Sequence, residues 1–197
     1  MNRPTILVDL DNVVYDWAKS MAFWLIRNDV IKGTVIAKAK YNALKAMLDY
    51  QSWEVWEDWG IPKGEFIRWW RLGIEAEEIY AKGPLVPGAR KALWRLSDAE
   101  YDIHIATSRL TKFGLHDQII LNTASWLRDN NIPYRNIHFT DNKRAIIAQA
   151  IVDDRADNMG EPMHGKRFLF PANHNQGRYV TADEQRAYWD KIVEELT

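Results

Sequence analysis

An interrupted alternation constrains this chain more than any other feature. Thr-Ile-Leu-Val-Asp at 5–9 is a short, β-branched apolar run ending in an acid, which reads as a buried strand. No second strand follows until Gly-Pro-Leu-Val-Pro-Gly punctuates the chain at 83–88. The stretch between, 17–82, has helical spacing and many aromatics. Beyond 88 the pattern alternates: a helix over 89–99, a strand over 101–107, and a helix over 115–130 with Ile119, Ile120, Thr123, Ala124 and Leu127 on one face. A strand at 136–140, a short helix at 143–149 and strands at 150–153 and 167–170 follow. An amphipathic helix at 181–196 closes the chain, capped by Thr181 with Glu184 three residues on. Strands alternating with helices predict an α/β fold, a Rossmann-like three-layer arrangement with a parallel sheet covered on both faces. The interruption predicts a small all-helical cap inserted after the first strand. The expected organisation is a core from 1–16 and 84–197, with the cap at 17–83.

Composition narrows the function. The 197 residues carry 26 Lys+Arg against 27 Asp+Glu, a net charge of −1, which disfavours long nucleic acid held by bulk charge. With no cysteine there is no disulfide scaffold, thiolate zinc site or thiol nucleophile. Hydrophobic residues at 47% and charged residues at 27% make an ordinary globular mix, long enough for a core without staples. Met-Asn-Arg-Pro runs straight into the first strand, with no apolar stretch long enough for a leader or a membrane span, so the expectation is a cytoplasmic protein away from membranes. Homodimerisation stays open.

In an open parallel sheet the reactive groups gather at the carboxyl ends of the strands. Here those ends read Asp9-Leu10-Asp11-Asn12, then Thr107-Ser108-Arg109, then Thr140-Asp141-Asn142-Lys143, then Asp153-Asp154-Arg155. Singly, each is an ordinary cap, turn or surface residue. In that order they form a set. Four converging carboxylates repel one another unless a cation joins them, and hard oxygen ligands suit Mg2+. A lysine and hydroxyls beside the metal suit a phosphate.

The set resembles the haloacid dehalogenase-like phosphohydrolases, and within them most closely the 5′(3′)-deoxyribonucleotidases. The resemblance rests on Asp-Leu-Asp-Asn-Val-Val-Tyr-Asp-Trp at 9–17, Pro-Leu-Val-Pro-Gly-Ala at 84–89, Ala-Thr-Ser at 106–108, Asp-Asn-Lys at 141–143 and Ile-Val-Asp-Asp-Arg at 151–155. It implies a core of that family's type and a helical cap between the first two motifs. It implies a Mg2+-dependent phosphatase acting on (deoxy)nucleoside monophosphates through an aspartyl-phosphate. Asp9 is then the nucleophile and Asp11 the general acid and base. The metal set is Asp9, the Asp11 backbone carbonyl and Asp154, with Asp153 ordering metal-bound water. Thr107, Ser108 and Lys143 hold the phosphoryl group. The family's glycine is replaced by Asn12, which tolerates unusual backbone angles. Its proline after Thr-Ser is replaced by Arg109, read here as a substrate-binding residue reaching a second phosphate or as a solvent-facing one.

Seven of the ten tryptophans fall between 17 and 70. Packing of a small helical cap accounts for most of them, with Trp53 and Trp56 read as one buried helix face. Trp17, and then Trp69 and Trp70, are the rings that the resemblance places against a base. The five histidines show no metal-ligand spacing, and His104, alternating within a strand, reads as a satisfied core residue. Asp157 reads as a turn cap, and Asn-His-Asn-Gln-Gly-Arg at 173–178 as a polar loop without a role.

Two other readings compete. The same chemistry fits another phosphomonoester, such as a nucleic-acid 5′ or 3′ end, a sugar phosphate or a phosphoprotein, with Arg68, Arg71, Arg109 and Lys112 as a local basic patch. A phosphoacceptor signalling domain is set aside, because its adjacent acid pair belongs at the first strand and here stands last. No Gly-x-x-x-x-Gly-Lys-Ser/Thr loop for a nucleotide kinase is present.

Overall fold

The structure, a computed structural model, describes residues 3–28, 37–109, 113–160, 163–176 and 184–197. Six parallel strands make one sheet in the order β3-β2-β1-β4-β5-β6. They are β1 (Thr5–Asp9), β2 (Asp102–Thr107), β3 (Asn136–Phe139), β4 (Ala148–Asp153), β5 (His164–Leu169) and β6 (Glu184–Arg186). β1 lies between β2 and β4, its Val8 opposite Ile105 on one side and Val152 on the other. Ile6 and Val8 pack into one apolar cluster and Leu7 into another, all three fully buried. Burial on both faces explains why this strand is a continuous apolar run rather than an alternating one.

The two faces are covered unequally. Over one lie α5 (Ala89–Asp98), α6 (His116–Asp129) and α7 (Trp189–Leu196), whose Leu93, Leu96, Ile119, Leu127 and Ile192 join Ile6, Val8, Ile105 and Val152. On the other, Leu7, Ile151 and Leu169 pack against Ala156, Met159 and Ile146, which belong to short turns. The helix expected at 143–149 is only a single 3-10 turn, Lys143–Ala145. β4 claims the rest, beginning at Ala148 because its backbone pairs with both β1 and β5. β5 likewise starts earlier than expected, at His164.

The closing helix is shorter than its pattern. Glu184–Arg186 pairs with Arg167, Phe168 and Leu169, satisfying the open edge of β5 before any helix begins. α7 starts only at Trp189, whose indole N–H donates to the Val13 carbonyl at 3.0 Å. Thr181, expected as a cap, lies outside the described residues. On α6 the buried face carries Ile119, Asn122, Thr123, Trp126 and Leu127, whereas Ile120 is exposed. The presence of Trp126 turns that face away from Ile120.

Between β1 and α5 come α1 (Trp17–Arg27), α2 (Ala37–Met47), α3 (Val55–Asp58) and α4 (Lys63–Glu75), in the stretch expected to be helical. Asp16 caps α1, accepting from Lys19 N at 3.1 Å. The chain leaves and re-enters along adjacent paths. Asp16 N donates to the Pro84 carbonyl at 3.0 Å and Val86 N to the Val14 carbonyl at 2.9 Å. Tyr15 fills the space between the paths so closely that a Cβ on Gly83 would lie 2.5 Å from its ring, which keeps that position free of any side chain. Among the described residues no helix is long and apolar enough to cross a membrane.

Candidate active site

The sheet order places β1 beside β4 where the strand order reverses, and their carboxyl ends bring distant acids together. Asp9 closes β1, Asp153 closes β4, and Asp154 follows it directly. Their carboxylate oxygens come within 4.8 Å of one another, and all three residues are buried. Lys143, also buried, sits 2.6 Å from Asp9 Oδ1 and 2.7 Å from Asp153 Oδ2. The lysine reaches this point because the turn at Lys143–Ala145 ends the path from β3 to β4.

The two acids of β4 differ in what holds them. Asp153 has protein donors at both oxygens: Lys143, the Asn158 amide at 2.9 and 3.1 Å, and Arg155 N at 2.8 Å. Asp154 Oδ2 receives the Asn12 amide at 3.4 Å and lies 3.5 Å from His174 Nε2. Asp154 Oδ1 is buried and has no hydrogen-bond partner. Neither has Thr107 Oγ1, buried at the end of β2. A buried oxygen without a partner is costly, so these two atoms mark where a ligand belongs.

Electrostatics point the same way. Burial pushes the Asp9 carboxyl up to about 7; Lys143 opposes that rise, and the charges of Asp153 and Asp11 add to it. Burial, with Asp9 and Asp153, also holds Asp154 well above the ordinary carboxylate range. Burial alone would pull Lys143 down, but Asp153 and Asp9 outweigh it and hold the ammonium above its usual value. One ammonium cannot neutralise three carboxylates. All-oxygen donors, excess negative charge and one uncommitted oxygen fit a small hard divalent cation.

Asn12 has φ 61°, the left-handed turn expected at the position where the resembled family has glycine. Its side chain ties Asp154 to the start of α1, because its carbonyl accepts from Ala18 N at 3.2 Å.

Asp11 stands apart from the other acids. Arg109 meets it side-on, with Nη2 2.5 Å from Oδ1 and Nε 3.2 and 3.1 Å from Oδ1 and Oδ2. Nη1 donates to Thr123 Oγ1 at 3.1 Å, and the guanidinium carbon lies 4.7 and 4.1 Å from the ring centres of Tyr15 and Tyr80. The solvent-facing alternative for Arg109 is therefore corrected: it is 2% exposed, engaged by Asp11, and lines the same cavity as Asp9 and Lys143. The basic patch does not form among the described residues. Arg71 pairs with Glu75, Arg68 lies over Trp69, and Lys112 is outside them.

Asp9, Asp11, Lys143 and Arg109 line a cavity of about 460 Å³ together with Ser108, Trp17 and Trp70. Ser108 is exposed at its edge and donates to the Thr140 carbonyl at 3.3 Å. A larger cavity, about 620 Å³, is bounded by Phe23, Trp24, Leu44 and Pro84 and holds none of these acids or hydroxyls, so size does not identify the site. Trp17 stands 5.3 Å from Trp70 and 6.3 Å from Phe66, ring to ring, and its indole nitrogen is buried without a hydrogen-bond partner.

Trp69 does not reach this cavity. It faces Trp24, whose indole N–H donates to the Trp69 carbonyl at 2.8 Å. Trp53 and Trp56 do not share a buried face either. Trp53 precedes α3 and is half exposed, while Trp56 packs on Phe66.

Sequence reasoning left His174 without a role, and the structure places it against Asp154. Its ring lies 4.8 Å from Trp53 and 6.4 Å from Tyr50, and the Arg155 guanidinium lies over the Trp53 ring at 4.6 Å. The available signal was positional: the loop 173–175 follows β5 at the same edge of the sheet as the acids. His104, expected in the core, is instead half exposed, with Asn136 at 2.9 Å and His138 at 3.1 Å, and does not line the cavity. Asp157 lies in the turn Ala156–Asn158, 3.7 Å from Arg155.

The family model described as 5′ nucleotidase, deoxy (pyrimidine), cytosolic type C protein matches residues 3–196. A 5′(3′)-deoxyribonucleotidase of Clostridium acetobutylicum is 26% identical over 189 residues, covering 92% of this chain and 91% of that protein. A Chlorobaculum tepidum protein, provisionally named a 5′(3′)-deoxyribonucleotidase, is 26% identical over 144 residues, 73% of this chain and 70% of its own. Among solved structures, a haloacid dehalogenase-like hydrolase of Streptococcus pneumoniae superposes with a TM-score of 0.57 at 15% identity, over 99% of both chains. A related hydrolase of Bacillus subtilis, solved with magnesium bound, gives 0.54 at 12% identity over 100% of this chain and 99% of that one. At such identity the structural likeness speaks for the fold alone.

Proposed function

The chain belongs to the family of 5′ nucleotidases, deoxy (pyrimidine), cytosolic type C, and from that premise we propose that it is a Mg2+-dependent phosphatase cleaving (deoxy)nucleoside monophosphates through an aspartyl-phosphate. Membership makes it a phosphoric monoester hydrolase of the haloacid dehalogenase type. Three buried carboxylates around one lysine, with Asp154 Oδ1 left bare, are the observation that carries the reading.

Asp9, Asp154 and the Asp11 backbone carbonyl would hold Mg2+. Asp153, its oxygens already engaged by Lys143, Asn158 and Arg155 N, acts indirectly by fixing Lys143. Bound there, the cation offsets the charge of the carboxylates and of the phosphoryl group.

The protein's own steps are two displacements. An Asp9 carboxylate oxygen attacks phosphorus, and the bond from phosphorus to the nucleoside oxygen breaks. Asp11 gives its proton to that departing oxygen. Water then attacks the aspartyl-phosphate, Asp11 takes the water's proton, and phosphate leaves with Asp9 restored. Lys143, 2.6 Å from Asp9, holds the nucleophile and neutralises part of the transferring charge. The unpartnered Thr107 hydroxyl supplies a donor to the phosphoryl oxygens, and Ser108 contributes from the cavity edge.

Residues 17–83 form the specificity-bearing cap over the core of 1–16 and 84–197. Trp17 and Trp70 on the cavity wall stack the base. Trp69 packs the cap. The family description, cytosolic, supports a cytoplasmic location.

A phosphatase panel with Mg2+ tests the reading: deoxyribonucleotides and ribonucleotides with 5′ or 3′ phosphates, sugar phosphates and phosphorylated oligonucleotides. Preference for a deoxynucleoside monophosphate, abolished by Asp9→Asn, is the expected result. Preference for an oligonucleotide end or a sugar phosphate sinks the substrate assignment, and activity surviving in Asp9→Asn sinks the mechanism.

A further inference from the structure

We propose that Arg109 is a positioning residue that sorts the two oxygens of Asp11, anchoring Oδ1 and leaving Oδ2 to carry the proton exchanged with the leaving group. The inference rests on the role given to Asp11 above.

The hydrogen bonds are unequal. Oδ1 takes Nη2 at 2.5 Å and a share of Nε at 3.2 Å, whereas Oδ2 takes only the other share of Nε, at 3.1 Å. The short, charge-assisted contact therefore fixes one oxygen and leaves the second with room for a proton. Asp11 itself lines the cavity with Asp9, so the freer oxygen belongs to a group already at the site.

The guanidinium cannot easily turn away. Its third nitrogen is taken by Thr123 Oγ1, and the Tyr15 and Tyr80 rings flank its plane. The Tyr15 ring is fixed in turn. Tyr80 N donates to the Tyr15 hydroxyl at 3.1 Å, and that hydroxyl lies 2.5 Å from Ser20 Oγ. Tyr15 belongs to the path by which the chain leaves β1, and Tyr80 to the path by which it returns. The orientation of Asp11 is thus locked to both connections of the helical insert. A lysine at 109 could supply the charge but not the fork, so it would bind either oxygen.

Leaving groups separate positioning from general damage. A nucleoside alkoxide needs a proton to depart, whereas 4-nitrophenolate does not. kcat/KM reports only the steps through release of that first product. In Arg109→Lys we expect kcat/KM for a nucleoside monophosphate to fall about 100-fold, and for 4-nitrophenyl phosphate about threefold or less. Asp11→Asn should show the same selectivity. Arg109→Lys added to Asp11→Asn should then cost less than about twofold more, because the residue it positions is already disabled. Arg109→Gln, which keeps a planar donor without the charge, should fall between wild type and Arg109→Lys on the nucleotide. An equal loss on both substrates in Arg109→Lys, beside a selective loss in Asp11→Asn, overturns the role of Arg109 alone. An equal loss in Asp11→Asn overturns the acid assignment beneath it. Thermal unfolding of each variant accompanies the kinetics. If Arg109→Lys fails to fold, Arg109→Gln carries the same comparison, and an equal loss there overturns the proposal too.

Discussion

The floor and the wall of the cavity are built from opposite chemistry. The floor is charge: Asp9 and Lys143 at the cavity, backed by Asp153 and Asp154, all buried, with Lys143 within hydrogen-bond reach of Asp9 and Asp153. The wall is aromatic surface: Trp17 and Trp70 stand at its lining, with Phe66 and Phe113 in ring contact behind them. Every charge on the floor depends on a specific partner, because an unpaired charge in a buried site is expensive. Rings on the wall share their contacts, so no single one holds the shape. Loss on the floor should therefore appear in turnover and stability together, and loss on the wall in substrate binding.

The largest contrast comes from Asp9→Asn, which should lower kcat about 10³-fold or more with far-UV circular dichroism unchanged. A smaller fall than in the wall variants would erase the distinction. Next, Lys143→Met leaves Asp9 and Asp153 without their ammonium. Breaking such a buried pair costs about 3–5 kcal/mol, read as a lower urea midpoint alongside the loss of activity.

Metal and pH test the floor without mutation. Burial raises the folded-state Asp9 carboxyl from 3.8 to about 7, so across that window the folded protein binds more protons than the unfolded chain. Metal-free protein should accordingly lose stability as the pH rises from about 4 to about 7. Mg2+ at a hundred times its dissociation constant should return about 2.7 kcal/mol at neutral pH. Calorimetric melts with and without chelator check both.

On the wall, Trp17→Ala should raise KM about tenfold, the equivalent of one base stack, with kcat close to wild type. Trp69→Ala should do less, lowering the melting temperature by a few degrees while leaving KM unchanged, because that ring faces Trp24 rather than the cavity. A KM effect at Trp69 equal to that at Trp17 would blur the sorting of the tryptophans.

The same contrast explains what the sequence revealed. Strand ends are marked by a change from apolar to polar residues, and a parallel sheet sends all of them to one edge. Asp9, Thr107, Lys143, Asp153 and Asp154 were legible for that reason. The partner of Asp11 was not, because Arg109 reaches it from another strand end and nothing local tells an inward arginine from an outward one. His174 was hidden in a loop of polar residues. β6 was hidden because Glu184–Arg186 forms a strand only by completing the edge of β5. The aromatics of the insert follow helical spacing, which says that they pack but not which ring reaches the cavity. Trp53, Trp56 and Trp69 therefore depart from their expected places, and only tertiary contacts sort them.

The seating of β1 between β2 and β4 also sets a schedule. β1 is made well before β4, so the partners of Asp9 arrive only with Lys143 and then with Asp153 and Asp154. Such a long-range pairing is slow to form, and a ribosome-bound chain short of β4 holds Asp9 without its neighbouring acids. Catalytic competence should thus appear abruptly once β4 has been made and paired, rather than growing with chain length.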